Sequence, residues 1–173
     1  MLSRIVTLLL IFPNLLLAQH TIKGVFSPAK DYEVVLLYKV TPTVSEYIKN
    51  AEINKDGSFQ IQLDASAEQG IYRLVYAVPQ EDYNFDVIYN AKEDIELTFN
   101  SQTGVTFKTS SENKLLASYT KSMSLVTQSI TNYFRENKKD TLALNTIFKT
   151  QREAQARYEK QATNMIALQF IKA

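Results

Sequence analysis

The sequence predicts a β-sandwich of about eight antiparallel strands followed by an α-helical hairpin. Between residues 21 and 107, apolar and polar residues alternate in short runs that end at turn-forming residues. After residue 109, apolar residues recur every three or four positions, which is the period of an amphipathic helix. No helical pattern separates the short runs, so an antiparallel sandwich is favoured over a parallel α/β sheet.

Eight runs have the alternation and the composition of strands. The turn at residues 54–57 is the strongest hairpin signal, because its last residue, Gly57, can adopt a positive φ. The run that follows predicts that Phe59, Ile61 and Leu63 face the core. The predicted strands cover residues 21–26, 32–40, 46–53, 58–63, 71–78, 85–89, 94–99 and 105–107.

The hydrophobic period changes at Thr109, where the first helix is predicted to begin. Thr109 and Glu112 have the spacing of a capping box, in which the two side chains satisfy the first free amide groups of a helix. An apolar stripe runs from there to Tyr133. This stripe predicts that one face of the first helix packs against the sandwich or against another chain.

A second helix is predicted after the charged connection at residues 135–140. Its stripe begins at Leu144 and continues through Gln169, which predicts one uninterrupted helix and, with the first, a hairpin over residues 110–173. The residues before Ala173 are still apolar and helical in pattern. We therefore expect the hairpin to be truncated at its C-terminus.

The first eighteen residues have the parts of a secretory signal. Arg4 supplies the positive charge, residues 5–17 form an apolar run, and Ala18 is the small residue before the cut. The run is shorter than the roughly 20 apolar residues of a membrane span, although an uncleaved anchor is the alternative. The predicted organisation is a signal at residues 1–18, a sandwich domain at 19–109 and the hairpin at 110–173. We expect an exported protein, periplasmic or at the cell surface.

Composition excludes several classes of function. Removing residues 1–18 removes Arg4 and no acid, which leaves 18 basic and 18 acidic residues. A net charge of zero predicts that the chain binds neither nucleic acid nor an anionic membrane surface. After residue 18, no apolar run is long enough to be a transmembrane segment. The chain has no cysteine, which excludes thiol chemistry, disulfides and a cysteine lipid anchor.

Candidate catalytic and metal-binding residues are few. His20 is the only histidine, next to the predicted cut, and we expect it on a frayed end where it could serve neither a triad nor a zinc site. Two acidic clusters lack the spacing of a calcium loop and are interpreted as solvated turns and strand edges. The clusters are Glu81, Asp82 and Asp86, and Glu93, Asp94 and Glu96. The residues thus predict no enzyme, no cofactor and no metal.

Tyrosine supplies the remaining candidate site. The chain has 10 tyrosines and no tryptophan. Tyr72, Tyr76 and Tyr83 could form an aromatic platform for a glycan or a peptide. The competing interpretation is that they are half-buried strand residues, which β-propensity favours.

Five strand and turn motifs of the sandwich region are characteristic as a set: Thr21-Ile22-Lys23-Gly24-Val25-Phe26, Glu33-Val34-Val35-Leu36-Leu37-Tyr38, Asp56-Gly57-Ser58-Phe59, Gln69-Gly70-Ile71-Tyr72-Arg73-Leu74 and Asn84-Phe85-Asp86-Val87-Ile88-Tyr89-Asn90. With these motifs, residues 19–107 resemble the domain of unknown function that precedes thioredoxin-like domains of the TlpA and ResA type in exported proteins of Gram-negative bacteria. Ser111-Glu112-Asn113 is similar to the connection that precedes that family's helical insert.

The resemblance implies a non-catalytic binding or spacer module. In that family a downstream thioredoxin fold with a Cys-x-x-Cys pair does the redox work, and this chain has neither, so no catalytic residue carries over. The implied partner is a thioredoxin-like domain or another envelope protein. A free-standing glycan- or peptide-binding sandwich is the alternative, and the oligomeric state stays open.

Overall fold

The computed structural model describes residues 19–136 and 139–173, so the predicted signal at residues 1–18 lies outside the described residues. Within them, eight strands in two sheets are followed by helices, which confirms the predicted fold class. A short 3-10 helix at Ala29–Asp31 follows the first strand. The strands are β1 (Thr21–Ser27), β2 (Val34–Val40), β3 (Ser45–Glu52), β4 (Ser58–Gln62), β5 (Gly70–Val75), β6 (Asn84–Tyr89), β7 (Ile95–Asn100) and β8 (Gly104–Phe107), and the helices are α1 (Ser111–Arg135), α2 (Thr141–Gln161) and α3 (Ala167–Lys172).

Each sheet has four strands, in the orders β4-β1-β7-β8 and β3-β2-β5-β6. Neighbouring strands run antiparallel except for β1 and β7, which are parallel, with Ile22 opposite Ile95 and Phe26 opposite Phe99. The first strand therefore lies inside its sheet, whereas β6 and β8 each lie at a sheet edge.

The core lies between the two sheets and is filled by the inward residue of each alternating pair. The predicted inward residues Phe59, Ile61 and Leu63 are buried, as expected. Phe26 lies at the centre of an aromatic cluster, with ring centroids 4.9 to 6.4 Å from its own. The surrounding rings are Tyr32, Phe59, Tyr76, Phe85 and Phe99.

The predicted hairpin turn joins β3 to β4. Gly57 has a φ of 83°, and its N–H donates to the carbonyl oxygen of Asn54 at 2.8 Å. Asp56 Oδ1 accepts hydrogen bonds from the backbone N–H and the hydroxyl of Ser58. These bonds hold the pKa of the Asp56 carboxyl below its ordinary value.

The first helix begins near the predicted position, but the predicted capping box is wrong. The Thr109 hydroxyl instead bonds to the backbone at the start of β7. It donates to the Asp94 carbonyl oxygen and accepts from the Glu96 N–H. The Glu112 side chain is buried, and its Oε2 accepts from the N–H of Ala167 at 3.2 Å. Both side chains tie the helix to other elements rather than to its own first turn.

The predicted single second helix is also wrong, because the chain turns between α2 and α3. Asn164 adopts a φ of 64°, a left-handed conformation that ends helices. The turn brings Ile171 back against α1, where its carbonyl accepts from the Tyr119 hydroxyl at 3.2 Å. A straight helix would have carried Ile171, which is buried, away from α1. None of the described helices is long and apolar enough to span a membrane.

Candidate functional site

An open groove lies where the edge of the sandwich meets α1. Its volume is about 1030 Å³, and β6, β8, α1 and α3 contribute its walls. Apolar side chains from all four elements line it: Phe85, Ile88, Val105, Phe107, Leu116 and Phe170. Phe170 is 44% exposed, although an aromatic side chain of this size is usually covered in a folded chain.

Asn113 fixes α1 against β6. Its side chain is buried, with Oδ1 accepting from the Ile88 N–H at 2.8 Å and Nδ2 donating to the Ile88 carbonyl at 2.7 Å. Nδ2 also donates to the hydroxyl of Ser110 at 2.7 Å. The amide thus pairs with the outer edge of β6 in the way that a residue of a neighbouring strand would.

Glu93 secures the N-terminus of α1 from the other side. Its Oε1 accepts from the N–H and the hydroxyl of Ser111, at 2.9 and 3.0 Å. A carboxylate at this position satisfies a free helix amide and interacts favourably with the helix dipole. We call Ile88, Glu93, Ser110, Ser111 and Asn113 the joint. The joint holds α1 in one orientation over the groove.

The unpaired charges of the groove are positive. Lys114 and Lys121, both on α1, line it and are exposed, and neither has an ion-pair partner among residues 19–136 and 139–173. The acidic lining residue, Asp86, instead accepts two hydrogen bonds from Arg73, at 2.7 and 2.9 Å. This contact raises the pKa of Arg73 and neutralises the carboxylate.

The three candidate tyrosines do not form one open platform. Tyr72 is 2% exposed and donates its hydroxyl hydrogen to the Glu68 carbonyl, so the hypothesis that it contacts a ligand is wrong. Tyr76 is half-buried in the cluster around Phe26. Tyr83 is 42% exposed and packs edge-on against Tyr76. Inward strand geometry, not a ligand site, explains the position of Tyr72.

Burial of tyrosines makes stability depend on alkaline pH. Burial raises the pKa of Tyr72, Tyr76 and Tyr89. Their contribution to stability is present below about pH 10 and is lost as the pH rises through the folded-state pKa values. Because the chain lacks tryptophan, tyrosinate absorbance reports the ionisation of its 10 tyrosines without interference from indole absorbance. We expect a late ionisation step that coincides with the loss of near-ultraviolet circular dichroism and shrinks in Tyr72→Phe. Ionisation of every tyrosine in one step, with the fold intact, would contradict this.

His20 is not on a frayed end, contrary to expectation. Its Nδ1 lies 2.8 Å from the Tyr89 hydroxyl, and its carbonyl accepts from the Leu63 N–H at 2.9 Å. Both contacts tie His20 to the sandwich.

The acidic candidates have structural contacts where they lie beside the joint. Asp94 accepts from the Thr21 N–H, and Glu96 pairs with Lys23 and Lys108. No three His, Cys, Asp or Glu residues in the described part of the chain are grouped so as to hold a metal ion.

The sequence pattern places Asn113 at the start of the first helix but does not predict its buried contact with Ile88. This residue begins the apolar stripe of α1, three residues before Leu116. An amide among the apolar positions of a helix signals a buried hydrogen-bonding partner, because a buried polar group without one is costly. That signal indicates a partner without saying which strand provides it.

No protein-family model matches the chain, and comparison with curated proteins also finds no match. Among solved structures, the chain has a likeness to the crystal structure of (S)-allantoin synthase, at 9% sequence identity and a TM-score of 0.38. The likeness covers 54% of this chain and 44% of that chain, so the chain spans less than half of that structure's length. At this level the likeness carries no argument about function.

Proposed function

We propose that this chain is a non-catalytic binding module that works outside the cytoplasm, with the groove as its contact surface and the helical hairpin as a fixed spacer. The observation that carries the proposal is the open apolar groove beside two sheet edges, held in shape by the joint. Apolar lining that stays in contact with water gains about 25 cal/mol per Å² when a partner covers it. The groove therefore favours binding over a purely structural role.

The joint supports the spacer part of the proposal. With 25 residues, α1 extends for about 37 Å at 1.5 Å per residue. Since Asn113 bonds to both main-chain groups of Ile88, α1 cannot swing without breaking buried hydrogen bonds. A partner held along α1 would keep a constant position relative to the sandwich.

The predicted signal at residues 1–18 and the resemblance to domains that precede thioredoxin-like folds support the extracytoplasmic location and the kind of partner. The proposed partner is a thioredoxin-like domain or another envelope protein. The alternative, a glycan platform of tyrosines, loses support because Tyr72 lies in the core.

Site-specific photo-crosslinking tests the binding function. A photoreactive residue at Val105, in the groove, is expected to give a discrete adduct in the extracytoplasmic fraction of the producing cell. Excess purified protein without the photoreactive residue should compete this adduct away. The matched control is Gln60 on β4, which is exposed and does not line the groove. No competed adduct at Val105, or the same adduct from both positions, would refute the proposal.

A further inference from the structure

The free edge of β8 gives the groove a more specific role, which rests on the proposed binding function. We propose that the groove binds an extended, acidic segment of a partner polypeptide, which adds as a strand to the edge of β8. Three features support this: the direction of the main-chain groups of β8, the blocked edge of β6 and the unpaired lysines of α1.

The register of β8 directs two residues toward the groove. The Lys108 N–H donates to the Glu96 carbonyl at 2.7 Å, and in an antiparallel pair the bonded positions alternate. Thr106 therefore turns its main-chain groups toward β7, while Val105 and Phe107 turn theirs away from it. No hydrogen bond from the described residues reaches those outward groups of Val105 and Phe107. They can pair with an added strand.

The edge of β6, across the groove, is already occupied at Ile88. The Asn113 side chain hydrogen-bonds to both outward main-chain groups of Ile88. A strand added alongside β6 would therefore collide with the start of α1. Within the described residues, no side chain hydrogen-bonds to the outward main-chain groups of β8. Of the two sheet edges that border the groove, β8 is therefore the one that is free at these groups.

Main-chain pairing favours an extended occupant over a helix. A helix satisfies its own amide and carbonyl groups internally and would leave those of Val105 and Phe107 without partners. An added strand would lie about 4.8 Å from β8 and rise about 3.3 Å per residue. Since β8 has 4 residues, the occupant pairs over a short segment.

The lysines determine the charge of the occupant. Lys114 and Lys121 are seven positions apart, so they lie on the same face of α1, separated by about 10 Å along its axis. Because Asp86 is neutralised by Arg73, the groove presents net positive charge to whatever enters it. Acidic side chains on an extended segment would pair with both lysines, whereas a basic segment would be repelled.

Binding of synthetic peptides to the purified protein, residues 19–173, tests the charge requirement. The probe is a fluorescent hexapeptide of alternating valine and glutamate, and its affinity is measured by fluorescence anisotropy. We expect the double variant Lys114→Glu and Lys121→Glu to weaken binding about tenfold. The matched control, Lys55→Glu with Lys160→Glu, makes the same charge change away from the groove and should bind normally. Equal binding of a valine–lysine hexapeptide would overturn the proposal.

Methylation of peptide amide groups tests strand addition without changing the protein. Only every second amide of an added strand points toward β8. Of two hexapeptides N-methylated at alternate positions, one should lose binding and the other should retain it. Loss by both or by neither would overturn strand addition. If the Val105 crosslink persists but the acidic peptide neither binds nor competes with it, the occupant proposed here is wrong and the binding function stands. Self-association through the groove without peptide would identify a second copy as the occupant instead.

Discussion

The Asn113→Ala variant is expected to lose about 3 kcal/mol of its free energy of unfolding, since a buried polar group left without its partner costs about 1 to 3 kcal/mol. The substitution removes the two bonds to the main chain of Ile88, at 2.8 and 2.7 Å, and the bond to Ser110. Ile88 is itself buried, so water cannot readily replace the amide. Urea unfolding, followed by far-ultraviolet circular dichroism, measures the loss.

Two further variants isolate the contribution of the amide. Asn145→Ala removes an exposed asparagine from α2 and should change stability by less than about 0.5 kcal/mol. Asn113→Asp keeps an acceptor for the Ile88 N–H but, when ionised, cannot donate to the Ile88 carbonyl. It should be destabilised at neutral pH and less so in acid, where the carboxyl is protonated and can donate. If Asn113→Ala were no more destabilising than Asn145→Ala, the joint would not depend on Asn113.

Gly57→Ala is expected to be at least as destabilising as Asn113→Ala, with a loss of about 3 kcal/mol or more in the free energy of unfolding. A residue other than glycine pays about 1 to 2 kcal/mol for a left-handed conformation, and Gly57 has a φ of 83°. A Cβ atom added at Gly57 would also lie 2.2 Å from the carbonyl oxygen of Phe26, which is backbone and cannot rotate away. If the two backbone segments moved apart to remove this clash, the hydrogen bond from the Phe26 N–H to the Gly57 carbonyl would break.

Gly104→Ala is the matched control for the close approach. Gly104 has a φ of 77°, but a Cβ atom there would meet nothing within 4 Å. This variant should lose only the conformational cost of about 1 to 2 kcal/mol. The difference between the two thermal or urea unfolding experiments therefore isolates the contact with Phe26. Equal losses would mean that the close approach contributes nothing.

Local patterns were sufficient to predict the strands, because strand alternation and turn residues act over a few positions. The inward positions of Phe59, Ile61 and Leu63 and the turn at Gly57 were predictable in this way. The parallel pairing of β1 with β7 was not, since it joins residues distant in sequence and depends on how the whole chain closes.

The groove could not be predicted from the sequence either, because it also depends on contacts between elements that are distant in sequence. A helical stripe indicates that α1 buries one face, but periodicity does not identify the surface that covers it. The function of Asn113 depends on the outer edge of β6, and that edge exists only once the sheet order is known. The break between α2 and α3 had a local signal, Asn164, because asparagine tolerates a left-handed conformation. The apolar stripe continues across the break, which concealed it.

Among the strands of the described residues, the first to be synthesised, β1, lies inside its sheet between β4 and β7. The parallel neighbour of Ile22 is Ile95, which leaves the ribosome only after every strand of the other sheet. One side of β1 thus stays without a neighbour while most of the sandwich is being made, and the sheet cannot close before β7 arrives. The other sheet, β3-β2-β5-β6, has all of its strands before β7 in the chain, so it can pair first. The strand order therefore favours a sequence of events in which one sheet forms early and the sheet that contains β1 is completed last.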